Sequence, residues 1–196
     1  MALKDILDVK AVLDPDRIML ECARVNSWSN GVDLVRTPLT GERCMRTLAE
    51  VRPEVLIGNA CRRYDAHSPG ETADLQVTEI VDTFTASRAQ LLLVECPVGF
   101  ARTPAWRDQL RPRLEKFRCT VEDATLYATD VGVPTGKQRV FIVAVKLRPG
   151  GSTATLVSKL TRWKQRLQQR VTTKPSVGAL LGRQGFFFLK LSLIHI

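Results

Sequence analysis

ATDVGVPTGKQRVFIVAV, residues Ala128–Val145, joins a tight turn, two basic residues and an uncharged apolar run. Gly132-Val133-Pro134 turns the backbone, Lys137 and Arg139 follow, and Val140–Val145 carries only apolar side chains. A run that is apolar at odd and even positions alike predicts a strand buried on both faces, as in the sheet of an α/β protein. Lys137 and Arg139 then stand at the rim of a rigid sheet, where open α/β folds place their sites.

The flanking sequence repeats this logic. Asp14-Pro15-Asp16 predicts a helix over Arg17–Val25, with Asp14 at its cap and Pro15 at its first position. Asp33–Arg36 reads as a short strand and Glu42–Val51 as a helix closed by Pro53. Glu54–Gly58 is a buried strand leading into a loop that carries Cys61, and Glu71–Arg88 is a helix with apolar residues at Leu75, Val77, Ile80, Val81 and Phe84. Leu91–Cys96 is the next strand, Pro104–Phe117 a helix burying Trp106, Leu110, Leu114 and Phe117, and Thr120–Ala128 a further strand. Short apolar strands alternating with longer helices predict an α/β fold, mostly parallel and doubly wound. Right-handed crossovers place the strand C-termini on one edge. Cys61 and Glu95 come near such an edge at once; Arg139, at a strand's entrance, reaches it only if that strand runs antiparallel to the others.

Bulk properties narrow the class. The 196 residues are 44% hydrophobic and 25% charged, as in a globular protein. No apolar run approaches the roughly 20 residues of a membrane helix, and the N-terminus lacks a secretory signal pattern. Five scattered cysteines without a C-x-x-C, with only His67 and His195 beside them, point to a reducing compartment and no metal centre. The net charge of +9 is uneven. Ten basic and no acidic residues fall between Lys146 and Ile196, leaving 19 basic against 20 acidic elsewhere. Past the Pro149–Ser152 linker, Leu156–Val171 reads as a basic helix; it is either a solvated face or a surface for a polyanion.

The opening stretch resembles motif VIII of the C5-cytosine-specific DNA methyltransferase family, a Gly-Val-Pro-Gln turn followed by Arg-x-Arg and an apolar strand. Thr135 stands where Gln is usual and Lys137 where the first Arg is usual. IGNACRRYDAHSPG (residues 57–70) resembles motif IV: Gly58, Cys61 and Tyr64 fit, while Ala60, Arg62 and Asp65 replace Pro, Gln and Ser. Arg62 and Arg63 would favour a Cys61 thiolate, although a lone Cys after a strand also reads as a small buried hydrophobe. LLLVECPVG (residues 91–99) resembles motif VI through Glu95 and Gly99, with Cys96 and Pro97 for Asn and Val. A carboxylate there also reads as one held by Arg102 or another cation.

The resemblance implies a Rossmann-like fold dependent on S-adenosylmethionine, with Cys61, Glu95 and Arg139 catalytic. In that chemistry a thiolate adds to C6 of a flipped cytosine, C5 attacks the sulfonium methyl, a Glu sits at N3 and an Arg at O2. Asp14, Glu42 and Gly58 are the cofactor-binding candidates; Asp14 and Glu42 also read as helix-capping residues. Lys137, Arg62 and Arg63 are the DNA-binding candidates. The Gly-rich motif I is missing, so the chain is expected to start inside the catalytic domain. That domain is expected over residues 1–148, with the basic helix and the start of a target-recognition region over 149–190. LSLIHI, residues 191–196, resembles a non-native tail. The expected partner is DNA, and the compartment is intracellular: nucleus in a eukaryote, cytoplasm in a bacterium. A non-catalytic DNA-binding homologue, an RNA (tRNA) cytosine methyltransferase of the same fold and a generic nucleotide-binding α/β protein stay open as alternatives.

Overall fold

A computed structural model describes residues 8–25, 31–60, 71–128, 137–147 and 153–169. The chain divides into two compact units, and the division falls inside one strand, between Val94 and Glu95.

In the first unit, β1 (Ala11–Asp14) pairs in parallel with β2 (Asp33–Arg36), Ala11 opposite Asp33 and Asp14 opposite Arg36. The crossover contains α1 (Arg17–Val25). Its cap is Asp16, whose Oδ1 accepts the Ile18 N–H at 2.8 Å, and not Asp14 as expected. Asp14 is still in register with Arg36 and closes β1, so the helix cannot begin until the chain has passed Pro15. α2 (Glu42–Val51) buries Cys44 and Leu48 and ends on Arg52, left-handed at φ 49°, with Pro53 preventing continuation.

β3 (Val55–Asn59) has β4 (Leu91–Cys96) as its strand neighbour, and α3 (Glu71–Ala86) connects them. The N–H groups of Gln90 and Leu91 donate to the Glu54 carbonyl at 2.8 and 3.1 Å. α3 buries Val77, Ile80, Val81 and Phe84, one stripe at helical spacing. Leu75 lies off that stripe and is exposed. A Cβ on Gly58 would come within 2.9 Å of Ile80 Cδ1 and 3.0 Å of its Cγ2, so glycine permits the approach of α3 to β3.

The second unit begins with Glu95 and Cys96 of β4. Pro97 to Phe100 then form a turn closed by the Phe100 N–H on the Pro97 carbonyl at 3.2 Å. Gly99, at φ 89°, supplies the left-handed conformation that the third position of such a type II turn requires. After a short 3₁₀ turn (Phe100–Arg102), the Thr103 hydroxyl accepts the Trp106 N–H. The helix runs π-helical over Ala105–Leu110 and continues as α4 (Arg111–Lys116). Pro112 has no N–H to give to the carbonyl a turn earlier, and the widened stretch precedes it. Trp106, Leu110 and Leu114 are buried, whereas Phe117 is half exposed because it stands past the last helical turn.

β5 (Cys119–Tyr127) and β6 (Gln138–Lys146) pair antiparallel, from Cys119 opposite Lys146 to Tyr127 opposite Gln138. β6 lies between the end of β4 and β5. The sheet is thus mixed where a mostly parallel one was expected. Val140, Ile142 and Ala144 are buried on one face of β6 and Val143 on the other. Arg111 ties α4 to β5: its Nη2 donates to the Val121 carbonyl at 3.3 Å, and it pairs with Glu115 at 3.2 Å and Asp123 at 3.7 Å. α5 (Thr153–Gln169) also packs on β5, burying Leu160 and exposing Lys159 and Arg162. Among the described residues, no helix is long and apolar enough to cross a membrane.

Candidate active site

Glu95 is the penultimate residue of β4. Leu92, Val94 and Cys96, on the opposite face of the strand, have no exposed surface. The Glu95 side chain is only 8% exposed, and a buried carboxylate needs a partner to stay charged. Arg139 supplies one, its Nε standing 3.1 Å from Glu95 Oε1. Its Nη1 donates to the Gln138 carbonyl at 2.9 Å, which folds the guanidinium back onto its own strand.

This contact fixes a direction. β4 and β6 are neighbours, and the pair joins the end of one to the beginning of the other. Adjacent strands do that only when they run oppositely, as the expectation for Arg139 demanded. With 37% of its side chain exposed, Arg139 still offers donors toward solvent. A carboxylate and a guanidinium side by side present an acceptor and a fork of donors, a pattern suited to the edge of a planar amide-like ring. Lys137 is exposed just before β6, and its carbonyl accepts the Ala128 N–H at 2.8 Å.

Cys61, Arg62 and Arg63 lie outside the described residues, as do Tyr64, Asp65 and Thr135. Ala60, the residue immediately before Cys61, is buried at the end of β3.

The three cofactor candidates belong to the first unit. Asp14 ends β1, is 2% exposed, and its Oδ1 accepts the Asp16 N–H at 2.7 Å. Glu42 opens α2 with an exposed side chain that pairs with Arg46 at 2.8 Å across one helical turn. Because β1 and β2 are parallel, the end of β1 and the chain leaving β2 toward Glu42 occupy the same edge of that pair. Both carboxylates are acceptors, which suits ribose hydroxyls and an adenine amino group. Gly58 faces Ile80.

Among the described residues, no group of His, Cys, Asp and Glu could hold a metal ion. Burial pushes the Cys44 thiol up, and it pushes the Cys119 thiol up against the opposing effect of Lys146. Burial also pushes the Lys146 ammonium down. Two features of the second unit were not spelled out by the sequence reading. The turn at Gly99 was legible from Pro97 and Gly99 themselves. The Arg111 cluster was half legible, since Glu115 lies one turn away, but Asp123 and the Val121 carbonyl come from another element.

No protein-family model matches the chain, and no curated protein sequence matches it. Its fold does match solved structures. A mutant of DNMT2 from Spodoptera frugiperda superposes with a TM-score of 0.56 at 13% identity, over 71% of this chain and 43% of that one. A DNA modification methyltransferase encoded within a prophage of E. coli gives 0.56 at 16% identity, over 71% and 40%. The Dnmt2 methyltransferase of S. pombe gives 0.56 at 13% identity, over 71% and 42%. The chain spans about two fifths of the length of these neighbours, and over that span it carries their α/β, Rossmann-like methyltransferase fold.

Proposed function

We propose that this chain is part of a cytosine-5 nucleic-acid methyltransferase, acting on DNA. The observation that carries the reading is the Glu95–Arg139 ion pair, 3.1 Å long, which joins residues singled out from two separate motifs. One of the structural neighbours, from the prophage, is named for DNA modification, which supports the choice of substrate class.

In this reading Cys61 is the nucleophile. Its thiolate adds to C6 of the target cytosine, which raises the electron density at C5. Glu95, in its acid form, would donate to N3 and Arg139 would donate to O2, stabilising the charge that develops on the ring as the adduct forms. The ion pair has a second role before substrate arrives. It keeps the buried carboxylate ordered, and the base edge then takes over the bonds. S-Adenosylmethionine, when bound, would supply the electrophilic methyl group; loss of the C5 proton to a base then expels the Cys61 thiolate and restores the ring. Asp14 would hold its ribose and Glu42 its adenine amino group. Lys137, with Arg62 and Arg63, would contact phosphates, and the basic α5 would add charge for the same polyanion.

The test is covalent trapping on a duplex containing 5-fluorocytosine in the presence of the cofactor. A trapped adduct that Cys61→Ser abolishes is the expected result; trapping that survives the substitution would remove Cys61 from the reading. Glu95→Gln and Arg139→Ala should each lower trapping while the protein remains folded by circular dichroism. Repeating the assay with tRNA in competition distinguishes an RNA substrate from DNA.

A further inference from the structure

α4 runs out into three consecutive exposed side chains, Lys116, Phe117 and Arg118. The Phe117 N–H still reaches the Arg113 carbonyl at 3.2 Å, but Arg118 turns left-handed at φ 57° and its N–H falls back on the Glu115 carbonyl at 2.9 Å. The chain then enters β5, and the Arg118 carbonyl accepts the Leu147 N–H at 3.0 Å. That bond, with Cys119 opposite Lys146, fixes the three residues at the end of the β5–β6 pair where β6 finishes. Arg139 stands seven residues earlier on β6, so this end lies about 24 Å from it along the strand. A base held by Glu95 and Arg139 is out of its reach.

The charge here is unbalanced. Glu115, the neighbouring carboxylate, is bonded to Arg111 at 3.2 Å, and Asp123 stands 3.7 Å from the same guanidinium. Among the described residues, neither Lys116 nor Arg118 has an ion-pair partner. Lys146, half-buried beside them, opens the stretch of ten basic and no acidic residues that runs to Ile196. Cations at the end of a helix complement its dipole, which accounts for Lys116 but not for Phe117. Phe117 lies between the two cations with 50% of its surface in solvent. An aromatic face flanked by cations matches a nucleic-acid strand with unpaired bases: the bases stack on the ring and the phosphates meet the charges. A duplex hides its base faces in its own stack and would use the charges alone.

We propose that Lys116, Phe117 and Arg118 form a second nucleic-acid contact, separate from the candidate active site, that holds a single-stranded segment. Phe117 stacks one base, and Lys116 and Arg118 bind the phosphates on either side of it. This contact needs neither cofactor nor methyl transfer, so it stands or falls independently of the function proposed above.

The test compares two fluorescent probes on the full chain without cofactor: a thymidine strand of about 12 nucleotides and an abasic strand of the same length and charge. Both meet the basic residues equally, including those of α5, and only the first can stack. The thymidine strand should bind at least about fivefold more tightly. Phe117→Leu should remove the difference and Phe117→Trp should keep it. Lys116→Gln with Arg118→Gln should weaken both probes and reduce the slope of log affinity against log salt by roughly 1.4, two phosphates at about 0.7 each. Equal binding of the two probes by the native protein would overturn the proposal. So would a preference that survives Phe117→Leu, which would place the stacking elsewhere, or a duplex of equal length that competes as well as the thymidine strand. A photo-crosslink from a 5-iodouracil strand to the native protein gives a reading free of any folding defect in the variants. It is expected on Phe117, and crosslinks confined to other residues would overturn the proposal.

Discussion

Two buried carboxylates close strands in this molecule, and they are stabilised in opposite ways. Asp14 at the end of β1 is satisfied locally, its Oδ1 accepting the N–H of Asp16 two residues on. Glu95 near the end of β4 is held by Arg139, on a strand that enters the sheet much later in the chain. The first arrangement needs only residues two apart in the Asp14-Pro15-Asp16 segment. The second exists only once β6 has threaded between β4 and β5. A local bond makes a carboxylate part of a turn, whereas a long-range ion pair makes it the meeting point of two elements, as a site requires.

The comparison is broken most directly at Arg139. Arg139→Ala leaves Glu95 buried beside an empty place, and it should cost roughly 2–3 kcal/mol in urea denaturation, below the range for fully buried pairs because Arg139 is partly exposed. Glu95→Gln should cost clearly less, since it removes the charge that needs a partner and leaves Arg139 free to turn to water. Equal costs for the two substitutions would mean that the pair is not the source of the burial penalty.

A second long-range dependence sharpens the contrast. Gly58→Ala drives a methyl group into Ile80 and should destabilise by about 1–2 kcal/mol, because the receiving side chain is itself packed. Ile80→Val in the same background should recover part of the loss, and a failure to do so would mean that the strain lies in the backbone.

Local satisfaction should cost less to remove. Asp16→Ala deletes the cap bond to the Ile18 N–H and should lower stability by about 1 kcal/mol, with the loss confined by hydrogen exchange to the start of α1. Asp16→Asn should keep most of it.

The smallest effect concerns the buried thiols. Burial raises the Cys44 pKa above its ordinary 9.0. Such a group stabilises the fold fully below the unfolded value, and that contribution falls away as pH rises through the folded one. The cost of Cys44→Ala in stability should therefore shrink above pH 9. In the native protein Cys22, which is exposed, should react with a thiol reagent well before Cys44 or Cys119.

Much of the element order was legible because its signals are local. The Leu91–Cys96 strand and the Glu42–Val51 helix stand where their apolar runs and breakers put them. Phe117, grouped with Trp106, Leu110 and Leu114 on one side of its helix, is half exposed because periodicity gives a stripe but not where the neighbouring elements stop covering it. The sheet, expected to be mostly parallel from the helices between strands, is mixed because β6 pairs antiparallel with β5, and the sequence carries no direct statement of which strands β6 joins.

The candidate site divides in the same way. Turn residues and the resemblance of two stretches to motifs of a known family selected Glu95 and Arg139, and a carboxylate at the end of an apolar strand is costly without a purpose. Their approach to 3.1 Å was decided only by the tertiary structure. A strand's own residues determine that it is a strand and which faces it buries. Its direction and its neighbours are set by the rest of the chain, through the backbone bonds and side-chain packing that the other strands leave available.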